Sequence, residues 1–296
     1  MRDLLREPHD GVYALVAYHL GWRDEHGAAC EATSGKLLRP ALVLTAARGF
    51  EPVPAAVDAA CALEFLHAFS LVHDDIEDGD RERRHRPTLW ALHGVPLAIN
   101  AGDSLFALAH GTMIDAAALL PAARIADALR IFNDACLAMI EGQHADISYE
   151  STARVTRDDY LLMTSGKTGA LIGASLALGA MFGGASDDDV EALRQAGVDL
   201  GTAFQAVDDA LAVWGDPART GKAVGNDAAR GKKSLPVVMA AGRGCAPGDP
   251  RVRDDVQALA RAHADRALER MRTTAIGEEA AVRLEALAAY ILGREE

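Results

Sequence analysis

From Ala55 to His73, apolar side chains recur at three-and-four spacing, with Leu63, Leu66, Phe69 and Leu71 among them. That period belongs to a helix rather than a strand. Asp187–Trp214 has the same character. Both stretches run from apolar positions into aspartates: Asp74, Asp75 and Asp78 in the first, Asp208 and Asp209 in the second. Proline is absent from Ala122 to Asp216, where Ala and Leu dominate, so several long helices are expected there. Alternating β-branched runs are absent. Turn-forming clusters interrupt the pattern at residues 48–54, 79–88, 119–123, 183–189, 215–227 and 242–251. Breaks spaced roughly 20–40 residues apart fit an all-α, single-domain bundle of long helices over residues 1–296.

Composition supports this picture and removes some functions. Of 296 residues, 50% are hydrophobic and only 5% aromatic, which favours a packed helical protein. A formal net charge of −13 leaves no basic footprint for nucleic acid. Cys30, Cys61, Cys136 and Cys245 are far apart and show no CxxC spacing. That argues against a zinc site or disulfide framework and for a reducing cytoplasm. The N-terminal stretch mixes charges of both signs and does not resemble a signal peptide. Without a run of eighteen apolar residues, no integral membrane segment is expected.

Charge is concentrated in "LVHDDIEDGDRERRHRPTLW", Leu71–Trp90. Five acidic residues lie between Asp74 and Asp80, and four arginines follow before Pro87. If the first helix reaches Asp78, Asp74 and Asp78 are i and i+4 and share a face, with Cβ atoms roughly 5–6 Å apart. Carboxylates so placed repel unless a cation lies between them, and all-oxygen ligands select hard ions such as Mg²⁺. An EF-hand is excluded, because Ile76 stands where that loop needs an oxygen ligand.

The chain carries only five lysines: Lys36, Lys167, Lys222, Lys232 and Lys233. All fall in clusters beside Gly, Ser or Thr that read as loops or helix ends. "SGKLLRP" sets Lys36 and Arg39 three apart, able to clamp an anion together. "SGKTG" pairs Lys167 with the Thr168 hydroxyl, but Leu161 and Leu162 stand where the first glycine of a P-loop should be. The pattern points to two phosphate-bearing ligands, one held through metal and one held directly by Lys and Arg.

"GKLLRP", "HAFSLVHDDIED", "RRHRPT", "GQHAD", "GKTG", "FQAVDD" and "GKAVGNDAARGKKSLP" follow one another in the order of the trans-isoprenyl diphosphate synthases. The sequence resembles that family, the polyprenyl synthetases, from about Gly35 to Pro236. The resemblance implies an all-α bundle around a deep central cavity, acting as a homodimer. It implies Mg²⁺ ligated by Asp74, Asp78 and Asp208, with Asp75, Asp209 and Asp227 auxiliary. Arg83, Lys167, Thr168, Gln205 and Lys222, with Lys232 near, would hold an allylic diphosphate (dimethylallyl, geranyl or farnesyl). Lys36, Arg39, His67 and Arg84 would hold isopentenyl diphosphate. Asp74, Asp78, Lys167, Asp208 and Lys222 would carry the chemistry, and Gln143 and Asp146 would lie near the reacting centre.

Phe69 and Ser70, below the first aspartates, resemble the chain-length positions of geranylgeranyl synthases. A C20 product is expected, with C15 and C25 as alternatives, although Phe69 is equally well placed as plain core. Two departures stand out: Ala212 replaces the third aspartate of the second motif, and His85 stands where glycine commonly follows the paired arginines. A class I terpene cyclase would share the aspartates but has no need of Lys36, Arg39 and Arg84. A non-catalytic subunit should have lost first-motif aspartates, and none is lost. Asp80, Arg81, Glu82 and Arg86 are expected to be solvated loop residues.

Overall fold

The computed structural model describes residue 1 and residues 10–30, 37–51, 54–215 and 231–293. It is all-α apart from one small hairpin, and divides into two compact units: residues 1–44 with 53–129, and 45–52 with 130–296.

In the first unit, α1 (Gly11–His19), α3 (Ala55–Glu77), α4 (Leu89–His93) and α5 (Val95–Ala117) build the core, with most of α2 (Leu38–Arg48). The expected helix of residues 55–78 is α3, capped at Asp78. Its Leu63, Phe65 and Leu66 are fully buried, each contributing about 1.5–3 kcal/mol. α3 packs mainly on α5. At Gly102 of α5, a Cβ would lie 2.3 Å from the His73 ring, so glycine is needed for the approach. Phe69 is buried, edge-on to Phe106 of α5 at 5.2 Å and to His73 at 4.8 Å.

α3 stops at a Schellman motif. Gly79, at φ 67°, donates to Ile76 O (3.2 Å), and Asp80 N donates to Asp75 O (2.9 Å). The chain then enters a hairpin of β1 (Glu82–Arg83) and β2 (Arg86–Pro87), paired Arg83 to Arg86. The linking residues Arg84 and His85 have φ of 54° and 61°. Two left-handed residues in a two-residue loop are the signature of a type I′ turn, normally built from Asn and Gly.

Contacts to α1 hold the turn in place. Arg86 donates to Tyr18 O (3.1 Å) and Arg23 O (2.7 Å), with its guanidinium 4.1 Å from the centre of the Tyr18 ring. Tyr18 Oη donates to Pro87 O at 2.7 Å. Arg81 lies over Trp90 at 5.1 Å, and Asp80 O accepts from Thr88 Oγ1 and Trp90 Nε1, each at 2.8 Å. Of the residues expected in a solvated loop, Arg81 and Glu82 are exposed, whereas Asp80 and Arg86 tie down a clamped hairpin.

The second unit holds most of α6 (Ala122–Glu150), with α7 (Arg157–Thr164) and α8 (Ala170–Phe182). α9 (Asp187–Trp214), α10 (Leu235–Arg243), α11 (Pro250–Arg272) and α12 (Glu278–Leu292) complete it. α9 spans the expected residues. α7 opens on a capping box of Thr156 and Asp159. α8 is apolar all round and buried along its length, as a core helix must be. It crosses α9 closely enough that a Cβ on Gly197 would be 2.6 Å from Gly173 Cα.

Ser165–Gly169 is a π-helical turn joining α7 to α8. "SGKTG", expected as a loop or helix end, therefore lies inside one continuous helical run. Residues 55–77 and 157–182 are long and apolar enough to cross a membrane, but 72% and 61% of their most apolar windows are buried in protein. They are core helices of this fold.

Candidate active site

On the first unit, the Asp78 N–H donates to the Asp74 carbonyl at 2.8 Å, so the two aspartates stand one helical turn apart, as the spacing expects. Both are partly exposed, at the end of α3 where the helix dipole is negative. Asp75 points the other way. It is buried and paired with Arg83, Nε to Oδ1, at 2.6 Å. Burial raises its pKa, and Arg83 opposes the rise.

Beside this pair lies a recess lined by His67, Arg83 and Arg84, with Glu64 in its wall. Burial pushes His67 well below its ordinary pKa, assisted by Arg39, Arg84 and Arg83, so its imidazole is neutral. Arg39 belongs to the same electrostatic cluster. Burial lowers its pKa to about 10, partly offset by Glu64, and its buried Nε has no hydrogen-bond partner among the described residues. Glu64 is buried, its pKa raised by desolvation and opposed by Arg39 and Arg84. His67, Arg83 and Arg84 thus line one recess, and Arg39 is coupled electrostatically to His67, Glu64 and Arg84. Lys36 lies outside the described residues.

Sequence reasoning missed Tyr18 and His19, which line this recess from α1, and Glu64. Nothing local in "AYHLGW" or "ALEFL" signals the role, because it arises from contacts with residues distant in the chain. Ser70, expected at the cavity wall, donates its hydroxyl to His67 O at 2.8 Å and is partly exposed.

On the second unit, Lys167 sits in the π turn and pairs with Asp146 at 2.5 Å. A Cβ on Gly142 would lie 2.2 Å from Lys167 N, and one on Gly166 would lie 2.7 Å from Ala138 O. The glycines of "GQHAD" and "SGKTG" therefore let two backbones touch where Lys167 is presented. Thr168 Oγ1 donates to Gln205 Oε1 (3.0 Å), and Gln205 Nε2 donates to Asp209 Oδ1 (2.9 Å). Asp209 Oδ2 also accepts from Tyr160 Oη (2.7 Å) and Leu235 N (2.8 Å). Burial raises its pKa to about 6 against those donors. Asp208, its partly exposed neighbour, and Lys232 are described; Lys222 and Asp227 fall outside the described residues.

The family model for polyprenyl synthetases matches residues 25–269. The chain belongs to the polyprenyl synthetase family. Its relatives include a (2E,6E)-farnesyl diphosphate synthase of Mycobacterium tuberculosis, 43% identical over 84% of this chain and 67% of the relative. A geranylgeranyl diphosphate synthase of the same organism is 44% identical over 80% of this chain and 67% of its own. The crystal structure of a polyprenyl synthetase from Streptomyces coelicolor A3(2) superposes with a TM-score of 0.87 at 35% identity, covering 98% of this chain and 93% of that one. This polyprenyl synthetase accordingly has the all-α isoprenoid synthase fold.

Proposed function

We propose that this polyprenyl synthetase is a Mg²⁺-dependent trans-prenyltransferase. It condenses isopentenyl diphosphate with an allylic diphosphate and releases a geranylgeranyl (C20) product. The observation that carries the reading is the recess lined by His67, Arg83 and Arg84, with Asp75, the sequence neighbour of Asp74, in its wall, in a chain of this family.

The donor set suits the metal: two partly exposed carboxylates one turn apart offer hard oxygens and leave the remaining positions to water and diphosphate. Asp208 is the second unit's candidate ligand, since Asp209 is committed to three hydrogen bonds. Bound Mg²⁺ would neutralise charge on the departing diphosphate. The protein's own contribution is electrostatic and positional. Lys167, Thr168 and Gln205, with Arg83, Lys222 and Lys232, hold the allylic diphosphate. Lys36, Arg39, His67 and Arg84 retain that of isopentenyl diphosphate, whose double bond is thereby oriented for attack. The allylic C–O bond breaks, the new C–C bond forms, and the proton lost from the adduct passes to the released diphosphate.

The C20 assignment rests on Phe69 beside the smaller Ser70. Exposed Val95, Leu97, Ile99 and Ile114 on α5 fit the apolar face of a homodimer. The four free cysteines suit a cytoplasmic enzyme.

Incubation with isopentenyl diphosphate, Mg²⁺ and, in turn, C5, C10 and C15 allylic primers tests the reading. Elongated prenyl diphosphates ending at C20 are expected. A hydrocarbon formed from a longer diphosphate alone, with no elongation from any primer, would replace the reading with a terpene cyclase.

A further inference from the structure

We propose that His19 is a further ligand of the retained diphosphate, and that its imidazole takes up a proton as the anion enters the recess. The inference rests on the reading of this recess as the isopentenyl diphosphate site.

His19 is the last residue of α1 and lines the recess that His67, Arg83 and Arg84 share. Its ring hydrogen-bonds to the backbone of Ala68 on α3. The only backbone group free to accept from an imidazole N–H is a carbonyl, so this bond fixes one ring nitrogen as donor and leaves the other as the acceptor of a neutral ring. The clamp of Arg86 and Tyr18 anchors this end of α1 to the hairpin that carries Arg84.

Charged groups from the hairpin and α3 line the recess with His19. Arg83, Arg84 and Arg86 come from the hairpin, and Glu64, His67 and Asp75 from α3. Arg39 of α2 joins the cluster through His67 and Glu64. The positive groups outweigh the two carboxylates, and Asp75 is spent on Arg83. Without an anion bound, another cation in the recess is therefore disfavoured. Burial first, then the arginines, holds the His19 pKa down at about 3.

A diphosphate reverses that field. Its charge of about −3 exceeds the net charge of about +2 that Arg39, Arg83, Arg84 and Arg86 keep after Glu64 and Asp75, and the second His19 nitrogen becomes a charge-assisted donor once protonated. His67 has the same environment and shares the response. Such a pair gives the recess a cation count that rises only when the ligand is present. Two permanent further cations would repel Arg83 and Arg84 at all times.

The test is calorimetric titration of the full chain with isopentenyl diphosphate alone at about pH 8, where the ligand is fully ionised. Running it in two buffers of different ionisation enthalpy reads protons taken up. Wild type should take up protons. His19→Gln keeps a donor for Ala68 but cannot be protonated. It should take up fewer protons and bind about tenfold more weakly, the scale of one charge-assisted hydrogen bond. The allylic KM in the complete assay should stay put.

Equal affinity and equal proton uptake in folded His19→Gln would overturn the inference. Arg84→Ala separates the two claims. If it leaves binding unchanged, the reading of the recess itself fails. If it weakens binding while His19→Gln does not, only the role of His19 fails. Should His19→Gln not fold, the imidazole resonances of wild type decide. A His19 ring that stays neutral at saturating ligand refutes the proposal, and one that becomes protonated supports it.

Discussion

Replacing Tyr160 with Phe isolates one bond in the buried network around Asp209. The Tyr160 hydroxyl donates at 2.7 Å to a carboxylate that is itself buried, and the ring is 1% exposed. The substitution therefore removes an oxygen without opening a route for water. Asp209 keeps Gln205 Nε2 and Leu235 N but loses one of its three donors in a low-dielectric site. A hydrogen bond to a charged group contributes about 1.5–3 kcal/mol, and the stranded acceptor places the loss in that range. For a chain of this size that is a fall in Tm of roughly 2–5 °C. Function should follow. Ser234 makes no side-chain cap at the start of α10, so Asp209 serves the Leu235 N–H instead, and Asp209 also fixes Gln205 against Thr168. Loosening Asp209 should raise the allylic KM several-fold and spare that of isopentenyl diphosphate. Thermal and urea unfolding, with initial rates at varied substrate, measure both effects. A folded Tyr160→Phe enzyme within about 0.5 kcal/mol of wild type, with both KM values unchanged, would refute the hub.

The turn of the hairpin offers a gain rather than a loss. His85 sits at φ 61° and costs about 1–2 kcal/mol there, so His85→Gly should raise stability by about 0.5–1 kcal/mol after glycine's own entropy, read as a higher Tm. Ser70→Phe adds a second aromatic beside Phe69 and should shorten the product, as chromatography of the dephosphorylated alcohols will show; an unchanged product from active enzyme removes Ser70 from the tail's path. The depressed pKa of His19 makes stability depend on acid. Below the unfolded value of 6.5 the unfolded ring binds a proton that the folded ring refuses, so stability falls as pH falls from about 6.5 toward 5. His19→Gln should flatten that fall by at most about 1.4 kcal/mol per pH unit, less what solvent at the mouth of the recess screens, and urea titrations along the pH series compare the two proteins.

The long helices were legible because their signals are local. α3 and α9 announce themselves by apolar spacing, and α3 by the Asp78–Gly79 stop as well. The hairpin was not legible. Strands of two residues have no period to read, and its turn carries Arg and His where Asn-Gly would have marked it. The π turn was hidden for another reason. Gly166 in "SGKTG" reads as a break, yet it is glycine because Ala138 O of α6 lies against it, and the helical path runs straight through. His19, Tyr18 and Arg86 act on the recess only through contacts that the chain makes after folding.

The Asp-Asp pairs show where spacing stops being informative. In each pair one carboxylate turns inward: Asp75 to Arg83, Asp209 to Tyr160, Gln205 and Leu235. The sequence presents two equivalent aspartates, and the helix necessarily points adjacent residues about 100° apart, so one faces solvent and ligand while the other faces core. The inward partner secures the helix end against the element that follows it, the hairpin in one case and α10 in the other. The other one, Asp74 or Asp208, is partly exposed and is the candidate metal ligand of its pair. Losing the third aspartate at Ala212 is tolerable on this logic, because that position adds an outward ligand and takes no part in the inward network. Losing Asp209 would not be, although it is the aspartate less suited to touch metal.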